Sequence, residues 1–416
     1  MNLILIGAGQ RGMIYAGCAF QQGHKILAVA EPDVARREAA RTALHIPEEN
    51  CFRTAGELLR LPRMADAAII ATMDRDHCSQ AIAAMKLGYD LLMEKPISPV
   101  PEETLAIADT AKELSRRVVI CHVLRYTPFF RNVKEILDSG KLGKIISIDH
   151  TENIGNYHIA HSFVRGNWRN EKLSSPILLQ KSCHDLDLLL WLTGKHVRKI
   201  YSVGSLSYFR PENAPEGSAD RCLDCPVASG CRFDARKVYL PNIGDWPAKV
   251  LTQDQTEAGV LEALRTGPYG RCVYRCDNDV CDHQSVIMEY EDGATTVFTL
   301  CGMTDRMHRT IHIMCEHGEI LGDDDPGEIL ITRFRSSMTE NSVQERILIG
   351  EVQGAHSGGD LALMDAFLSD PGTGEKIVSD ISMSVESHLL VFAAEESRHT
   401  GQAVDMADWI GRLRKS

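Results

Sequence analysis

The six residues Gly7-Ala8-Gly9-Gln10-Arg11-Gly12 constrain the fold more than any other segment of this sequence. They follow an aliphatic run over residues 2–6 and open a helical pattern over 13–22. The first glycine permits a tight turn, the second lets backbone approach a ligand, and the third lets a helix pack closely on a strand. A strand, a glycine turn and a helix in this order begin a parallel βαβ unit. The rest of the first third repeats it. Strand signals at 25–30, 67–71, 90–93 and 117–121 alternate with helical patterns at 34–43, 77–87 and 101–115. Fully apolar strands alternating with helices predict a doubly wound parallel sheet, covered on both faces, over residues 1–121.

After His122 the rhythm changes. A helix over 127–139 leads to a strand beginning near Lys144, and a second helix is expected at 184–193. Alternating segments at 285–290, 295–301, 309–315 and 329–332 suit an open, largely antiparallel sheet with one wet face. Helical patterns return at 360–369 and 382–399. The prediction is a second α/β domain over 122–416 with an insertion at about 210–283, a stretch rich in Pro, Gly, Asp and Cys. No apolar run approaches the roughly 18–20 residues of a membrane helix. A net charge of −12 disfavours a nucleic-acid backbone or an anionic membrane as main partner. The N-terminus lacks a basic n-region and a cleavage site, which makes a cytoplasmic location the expectation.

Placed between strand and helix, the glycine motif reads as a dinucleotide site, with the pyrophosphate at the helix N-terminus and Gly7, Ala8, Gly9, Gln10, Arg11 and Gly12 around it. Glu31 ends the second strand about 20 residues further on, where a carboxylate accepts from ribose hydroxyls and repels a 2′-phosphate. Arg36 and Arg37 follow, either to meet such a phosphate or as solvated helix charges. NAD is expected ahead of NADP. The strand at 90–93 ends in Glu94-Lys95-Pro96. A lysine at the carboxyl edge of a parallel sheet stands where ligands bind, and when partly desolvated it can hydrogen-bond a reacting hydroxyl or carry its proton. In isolation the tripeptide reads by default as a surface Glu–Lys pair before a turn.

Taken together, these residues resemble the glucose–fructose oxidoreductase / inositol dehydrogenase / rhizopine-catabolism (Gfo/Idh/MocA) family. The resemblance rests on the glycine motif, on Ala71-Thr72 with His77, on Glu94-Lys95-Pro96 and on His184-Asp185-Leu186-Asp187, and it spans nearly the whole chain. It implies an N-terminal Rossmann domain and a C-terminal α/β domain. The open sheet of the latter lines a substrate cleft and often forms an oligomer interface, so a homodimer or tetramer is expected. It also implies pyridine-nucleotide chemistry on sugars, cyclic polyols or their derivatives, and adds Thr72, His77, Glu94 and Lys95 to the cofactor set. In the family that lysine works with a histidine four residues after an aspartate. His184 matches the histidine, but Gln180 occupies the aspartate position and cannot accept a proton; Lys181 is the neighbour that can replace part of its function. The expectation is His184 as general base or acid on the substrate hydroxyl and Lys95 stabilising an alkoxide-like oxygen, with direct hydride transfer to or from nicotinamide C4. Two other readings stay open. One is an NAD-using lyase or glycosidase that oxidises, eliminates and reduces again; the other is a non-catalytic ligand sensor.

Further candidates for a substrate cleft are His122, Arg125 and Tyr126, where the domains join, and the polar loop Arg165, Asn167, Trp168 and Arg169. Each is equally consistent with interdomain packing. Asp279, Asp282 and His283 form another polar cluster, His356 is open to a cleft role, and Asp360 reads as a helix cap. Six of the thirteen cysteines fall between Cys222 and Cys281. The C-x-x-C pair Cys222 and Cys225, with Cys231 and Cys276, suggests structural zinc, with Cys272 as a substitute ligand. Iron–sulfur ligation uses the same residues, but the spacing follows no ferredoxin pattern. Reduced, unligated thiols are the third reading. The remaining seven cysteines read as small buried hydrophobes.

Overall fold

A computed structural model describes residues 1–350, 352, 355–369 and 377–415. Its first sheet contains β1 (Asn2–Ile6), β2 (Lys25–Ala30), β3 (Cys51–Phe52), β4 (Ala67–Ile70), β5 (Asp90–Met93) and β6 (Val118–Ile120), all parallel, in the order β3-β2-β1-β4-β5-β6. The crossovers carry α1 (Gln10–Gln21), α2 (Val34–Ala43), α3 (Ala55–Leu58), α4 (Asp74–Lys86) and α5 (Pro101–Glu113). Successive strand residues point to opposite faces. Leu3, Leu5 and Ile69 therefore pack with Tyr15, Ala16 and Ala19 of α1, while Ile4, Ile6 and Ile70 pack with Ala81 and Ala84 of α4. Burial on both faces is why these strands are apolar throughout. The order reverses between β1 and β4, which opens a crevice at their carboxyl ends.

The second sheet contains β7 (Ile145–Asn153), β8 (Val197–Ser205), β9 (His283–Tyr290), β10 (Thr295–Cys301), β11 (His308–Cys315), β12 (Gly318–Asp323), β13 (Glu328–Arg333), β14 (Val343–Leu348) and β15 (Val404–Asp405). Their order is β14-β13-β12-β11-β7-β10-β9-β8-β15, with β7 and β10 parallel and the other neighbours antiparallel. The chain between the two sheets supplies α6 (Pro128–Asp138), and α7 (Asn156–Ile159) and α8 (Ile177–Thr193) follow β7. The insertion carries α9 (Ala235–Tyr239) and α10 (Glu257–Thr266), and the chain ends with α11 (Gly359–Leu368), α12 (Ile381–Thr400) and α13 (Met406–Leu413). On the inner face, α8 packs on β7 and α12 on β8. The last long helices also turn back toward the first sheet: α11 packs on α1, burying Leu363, Met364 and Phe367 with Leu3 and Leu5, and α12 packs on α5.

Helix α8 begins at Ile177, seven residues before the helix expected at 184. Nearly every side chain along it is buried, so it lacks the apolar stripe that marks an amphipathic helix. Among the described residues no helix is long and apolar enough to cross a membrane.

Candidate active site

At the end of β1, Gly7 has φ +91°, and a Cβ there would lie 2.5 Å from the Ala71 carbonyl oxygen. A Cβ on Gly12 would lie 2.0 Å from the Gly7 carbonyl oxygen, so neither position accepts another residue without a backbone shift. Above Gly9, in contrast, nothing lies within 4 Å of where a Cβ would stand. The bare backbone of the loop therefore faces a cavity with about 1170 Å³ of atom-free space, whose walls include Glu31, Arg36, Arg53, Thr72 and Met73. The buried Glu31 carboxylate accepts from the Ala8 amide at 2.8 Å and the Asp33 amide at 3.0 Å. These bonds brace the glycine loop and leave acceptor capacity on both oxygens. Arg37 turns back onto the carbonyls of Glu31 and Pro32. The open space over Gly9, the N-terminus of α1 and the fixed carboxylate fit a dinucleotide.

Gln10 and Arg11 stand in different settings. Gln10 is exposed on the first turn of α1. Arg11 turns away from the phosphate position and binds Glu94 at 2.7 Å, along with Tyr15 and Asp360. Glu94 thus sits between Arg11, the Tyr15 hydroxyl at 2.7 Å and the Lys95 amide at 2.9 Å. Burial alone would raise its pKa, but the charges of Arg11 and Lys95 hold it below the usual carboxylate value. His77 donates from Nδ1 to the Pro96 carbonyl at 2.8 Å and so fixes the turn that carries Lys95. Both Glu94 and His77 position the lysine.

Lys95 Nζ donates to the Gln180 carbonyl at 2.7 Å, and His184 lies one helical turn further along α8. Both line a cleft with about 1150 Å³ of atom-free space between the two sheets. This cleft and the cavity over the glycine loop share Ala71, Thr72 and Met73. Burial, then the Lys95 charge and the His122 ring, push the His184 pKa well below the usual histidine value. Its Nδ1 is buried without a hydrogen-bond partner, and the ring is neutral near pH 7. If the ring acts as base, kcat/KM for alcohol oxidation is flat through neutrality and falls only as pH drops through a pKa well below 6.5. A pH–rate profile with its acidic limb at or above 6.5 contradicts that role.

Gln180 Nε2 donates to Asp74 at 2.6 Å and to Ser175 at 2.8 Å, which ties α4 to α8 and leaves Oε1 with acceptor capacity at the cleft wall. Lys181 Nζ is 3.1 Å from a Glu152 oxygen. It joins a buried charge network in which Arg309 bridges Glu152 and Asp185, and His150 meets Asp185 at 2.9 Å. Of the loop beyond Arg165, Trp168 reaches the cleft, where it is 40% exposed.

Several candidates lie elsewhere. Arg125 is fully buried and grips Asp187 with two bonds of 2.6 and 2.7 Å. The Tyr126 hydroxyl accepts from the Val378 amide at 3.1 Å and pairs with Ser379. His122 is buried under His184, their ring centroids 5.5 Å apart. Arg165 is buried in the insertion, and Arg169 faces outward to Asp277 at 2.8 Å. Asp282 accepts from the Ser207 and Tyr208 amides, its neighbour His283 pairs with it, and Asp279 holds Asn170 and the Glu171 amide. His356 lines the cleft and pairs with Asp360, which lies in the first turn of α11 instead of capping it. The sequence reading missed Asp74, His158 and Arg309, all of which line the cleft. A signal existed for Arg309 and Glu152: each is a charge on the buried phase of an otherwise alternating strand.

All thirteen cysteines are free thiols. Among the described residues, no three His, Cys, Asp or Glu side chains gather closely enough to hold a metal ion. The expected zinc tetrahedron of Cys222, Cys225, Cys231 and Cys276 is therefore not formed. The first three surround a small cavity together with Cys272, while Cys276 Sγ turns to the Cys272 carbonyl at 3.3 Å.

Known proteins share this architecture. Residues 1–122 match the oxidoreductase family's NAD-binding Rossmann fold, and residues 134–406 match its C-terminal alpha/beta domain. The putative oxidoreductase YteT of Bacillus subtilis is 26% identical over 79% of this chain and 77% of its own length. The scyllo-inositol 2-dehydrogenase (NAD(+)) of the same organism is 27% identical over 64% of this chain and 68% of its own. The chain spans about half the length of several other relatives, such as 55% of an inositol 2-dehydrogenase of Corynebacterium glutamicum at 25% identity over 47% of this chain. An oxidoreductase from Agrobacterium radiobacter, solved with NAD+, L-tartaric acid and magnesium, superposes with a TM-score of 0.69. It is 15% identical, and the match covers 98% of this chain and 99% of that one. An oxidoreductase domain protein from Kribbella flavida superposes with a TM-score of 0.71 at 16% identity, covering 97% and 98%. With both of its family's domains matched in order along one chain, this protein belongs to the Gfo/Idh/MocA family of NAD-binding oxidoreductases.

Proposed function

We propose that this chain is an NAD-dependent dehydrogenase acting on a secondary hydroxyl of a sugar, a glycoside or an inositol-like polyol. One observation carries the reading: Lys95 and His184 open into a single cleft whose wall at Ala71, Thr72 and Met73 is also the wall of the dinucleotide cavity. NAD bound along Gly7–Gly12 and Glu31 supplies the hydride acceptor at nicotinamide C4. Neutral His184 takes the hydroxyl proton, and Lys95, anchored on the Gln180 carbonyl, holds the oxygen as negative charge develops. The Trp168 face suits one side of a sugar or cyclitol ring, while Lys181 and Arg309 supply donors for its hydroxyls. The buried Glu31 carboxylate favours NAD over NADP, since a 2′-phosphate would meet it directly. In this scheme residues 1–121 hold the cofactor and 122–416 the substrate, and the reaction is cytoplasmic. Relatives named inositol 2-dehydrogenases support the substrate class.

The test is a polyol and glycoside panel with NAD, followed at the nicotinamide absorbance. Turnover of at least one member is expected. Cleavage of a glycoside without NADH accumulation, or no turnover with cofactor firmly held, overturns the reading in favour of a redox-neutral lyase or a sensor.

We further propose that the outer face of the second sheet pairs with a second copy of the chain. The cross-strand row Tyr201–Ile287–Val297–Asp149–His312–Leu321 runs across that face. Ile287, Val297 and Leu321 on it are exposed apolar side chains. Sedimentation should show a dimer or tetramer that Ile287→Glu with Val297→Glu dissociates; a monomeric native protein refutes the pairing.

A further inference from the structure

The insertion buries little of its own: Ala235, Val238, Tyr239, Val260 and Leu264 with Cys222 form its small core. Next to that core lies a small, partly open cavity lined by Cys222, Cys225, Cys231 and Cys272 and by Arg165. A short turn at Cys222–Asp224 brings the first two thiols together, and a second turn at Ala228–Gly230 adds Cys231. Cys272 arrives from the returning chain, which an isolated antiparallel bridge between Arg221 and Arg271 holds beside the first turn.

Arg165 is the second observation. Its side chain is 1% exposed. Nε donates to the Arg271 carbonyl, Nη2 donates to the Phe233 carbonyl at 2.8 Å and to Cys222 Sγ at 3.3 Å, and Nη1 is buried without a hydrogen-bond partner. Among the described residues no carboxylate pairs with it; the ionisable groups facing it are Tyr239 and the thiols of Cys222, Cys276 and Cys272. A guanidinium is always charged, and a buried charge requires a counter-charge. Neutral thiols do not supply one, whereas thiolates on a metal do.

A single zinc ion does not suit the geometry. Zinc draws its thiolates to about 2.3 Å from one point, and here no three such side chains converge. The thiols line the wall of a space, as they would around a cluster that takes one thiolate on each iron. We propose that the insertion holds a four-iron, four-sulfide cluster ligated by Cys222, Cys225, Cys231 and Cys272. Each thiol releases its proton to solvent as it binds. The cluster with four thiolates is a net anion, which compensates Arg165, and the Arg165 N–H on Cys222 becomes a hydrogen bond to a ligating sulfur. The site joins the two ends of the insertion around Arg165, three residues before Trp168 enters the cleft. It is thus a strut for that wall, independent of whether the substrate is a polyol.

The experiment uses the full chain, purified without oxygen and then incubated with sulfide and equal amounts of ferrous and ferric iron. About four iron and four acid-labile sulfide per chain, with a brown chromophore that dithionite bleaches, are expected. Cys222→Ser and Cys272→Ser should each lose at least about half of the iron, while Cys276→Ser keeps it. Arg165→Met should lower the midpoint potential of the cluster, because loss of the nearby cation disfavours the added electron. About one zinc per chain without iron, or folded protein that takes up no iron, overturns the proposal. Retention of iron by Cys272→Ser with loss by Cys276→Ser overturns the ligand assignment. If the serine variants fail to fold, the iron and sulfide content of the native chain decides.

Discussion

Lys95→Ala is expected to lower kcat by about 10²–10⁴-fold, and His184→Ala by a similar factor, with NAD affinity nearly unchanged in both. In the proposed reaction Lys95 meets the reacting oxygen from the end of β5, and His184 meets it from α8, so neither is needed to seat the dinucleotide on the Gly7–Gly12 loop. Because both act on one oxygen, the double variant should lose less than the product of the single losses. Lys95→Arg should not rescue, since a planar guanidinium cannot replace a compact ammonium already fixed on the Gln180 carbonyl. Cofactor titration by fluorescence, alongside steady-state rates, separates the two effects. Full activity in either alanine variant removes that residue from the chemistry, and loss of NAD binding in both places them on the cofactor instead.

The residues that gave this site away in the sequence are those whose chemistry depends on local conformation. Gly12 is forced by the Gly7 carbonyl within one strand–turn–helix unit, and Gly7 by its positive φ together with Ala71 at the end of the neighbouring strand. Lys95 follows directly from the end of an apolar strand. Such requirements leave a mark on consecutive residues. The role of Gln180 left no mark, because its partners Asp74 and Ser175 are chosen by how α4 meets α8. Arg11 misled for a similar reason: its place in the glycine motif pointed to phosphate, but besides Tyr15, one turn along the same helix, its partners Glu94 and Asp360 come from distant parts of the chain. The strands β8, β12 and β14 escaped notice for a different reason. β12 sets Ile320 and Leu321 side by side between glycine and acidic residues, β14 is largely exposed, and β8 mixes charge and glycine with its apolar residues, so their alternation is weak. Pairing by their neighbours holds them in the sheet.

Arg125→Met is expected to cost about 3–5 kcal/mol of stability, a larger effect than any surface substitution in this chain. The sequence offered Arg125 as a substrate ligand, but its guanidinium lies under the cleft, bound twice to Asp187 and once to the Val378 carbonyl. Removing it leaves a buried carboxylate whose nearest cationic candidate is His122, with Nε2 3.5 Å from Asp187 Oδ1. In the native protein burial, and then the Arg125 and Lys95 charges, hold the His122 pKa well below the usual histidine value. A depressed histidine pKa makes the unfolded chain bind more protons than the native one, so this group lowers native stability as pH falls below about 6.5. Loss of Arg125 removes one of those opposing charges and allows protonated His122 to pair with Asp187. The stability gap between Arg125→Met and the native protein should therefore narrow as pH falls from about 7 to about 5. Adding Asp187→Leu to Arg125→Met removes the stranded charge altogether and should recover part of the loss at pH 7. Denaturant midpoints of the three variants at both pH values are the measurement. A gap that widens on acidification, or a double variant less stable than Arg125→Met, contradicts the stranded-carboxylate account.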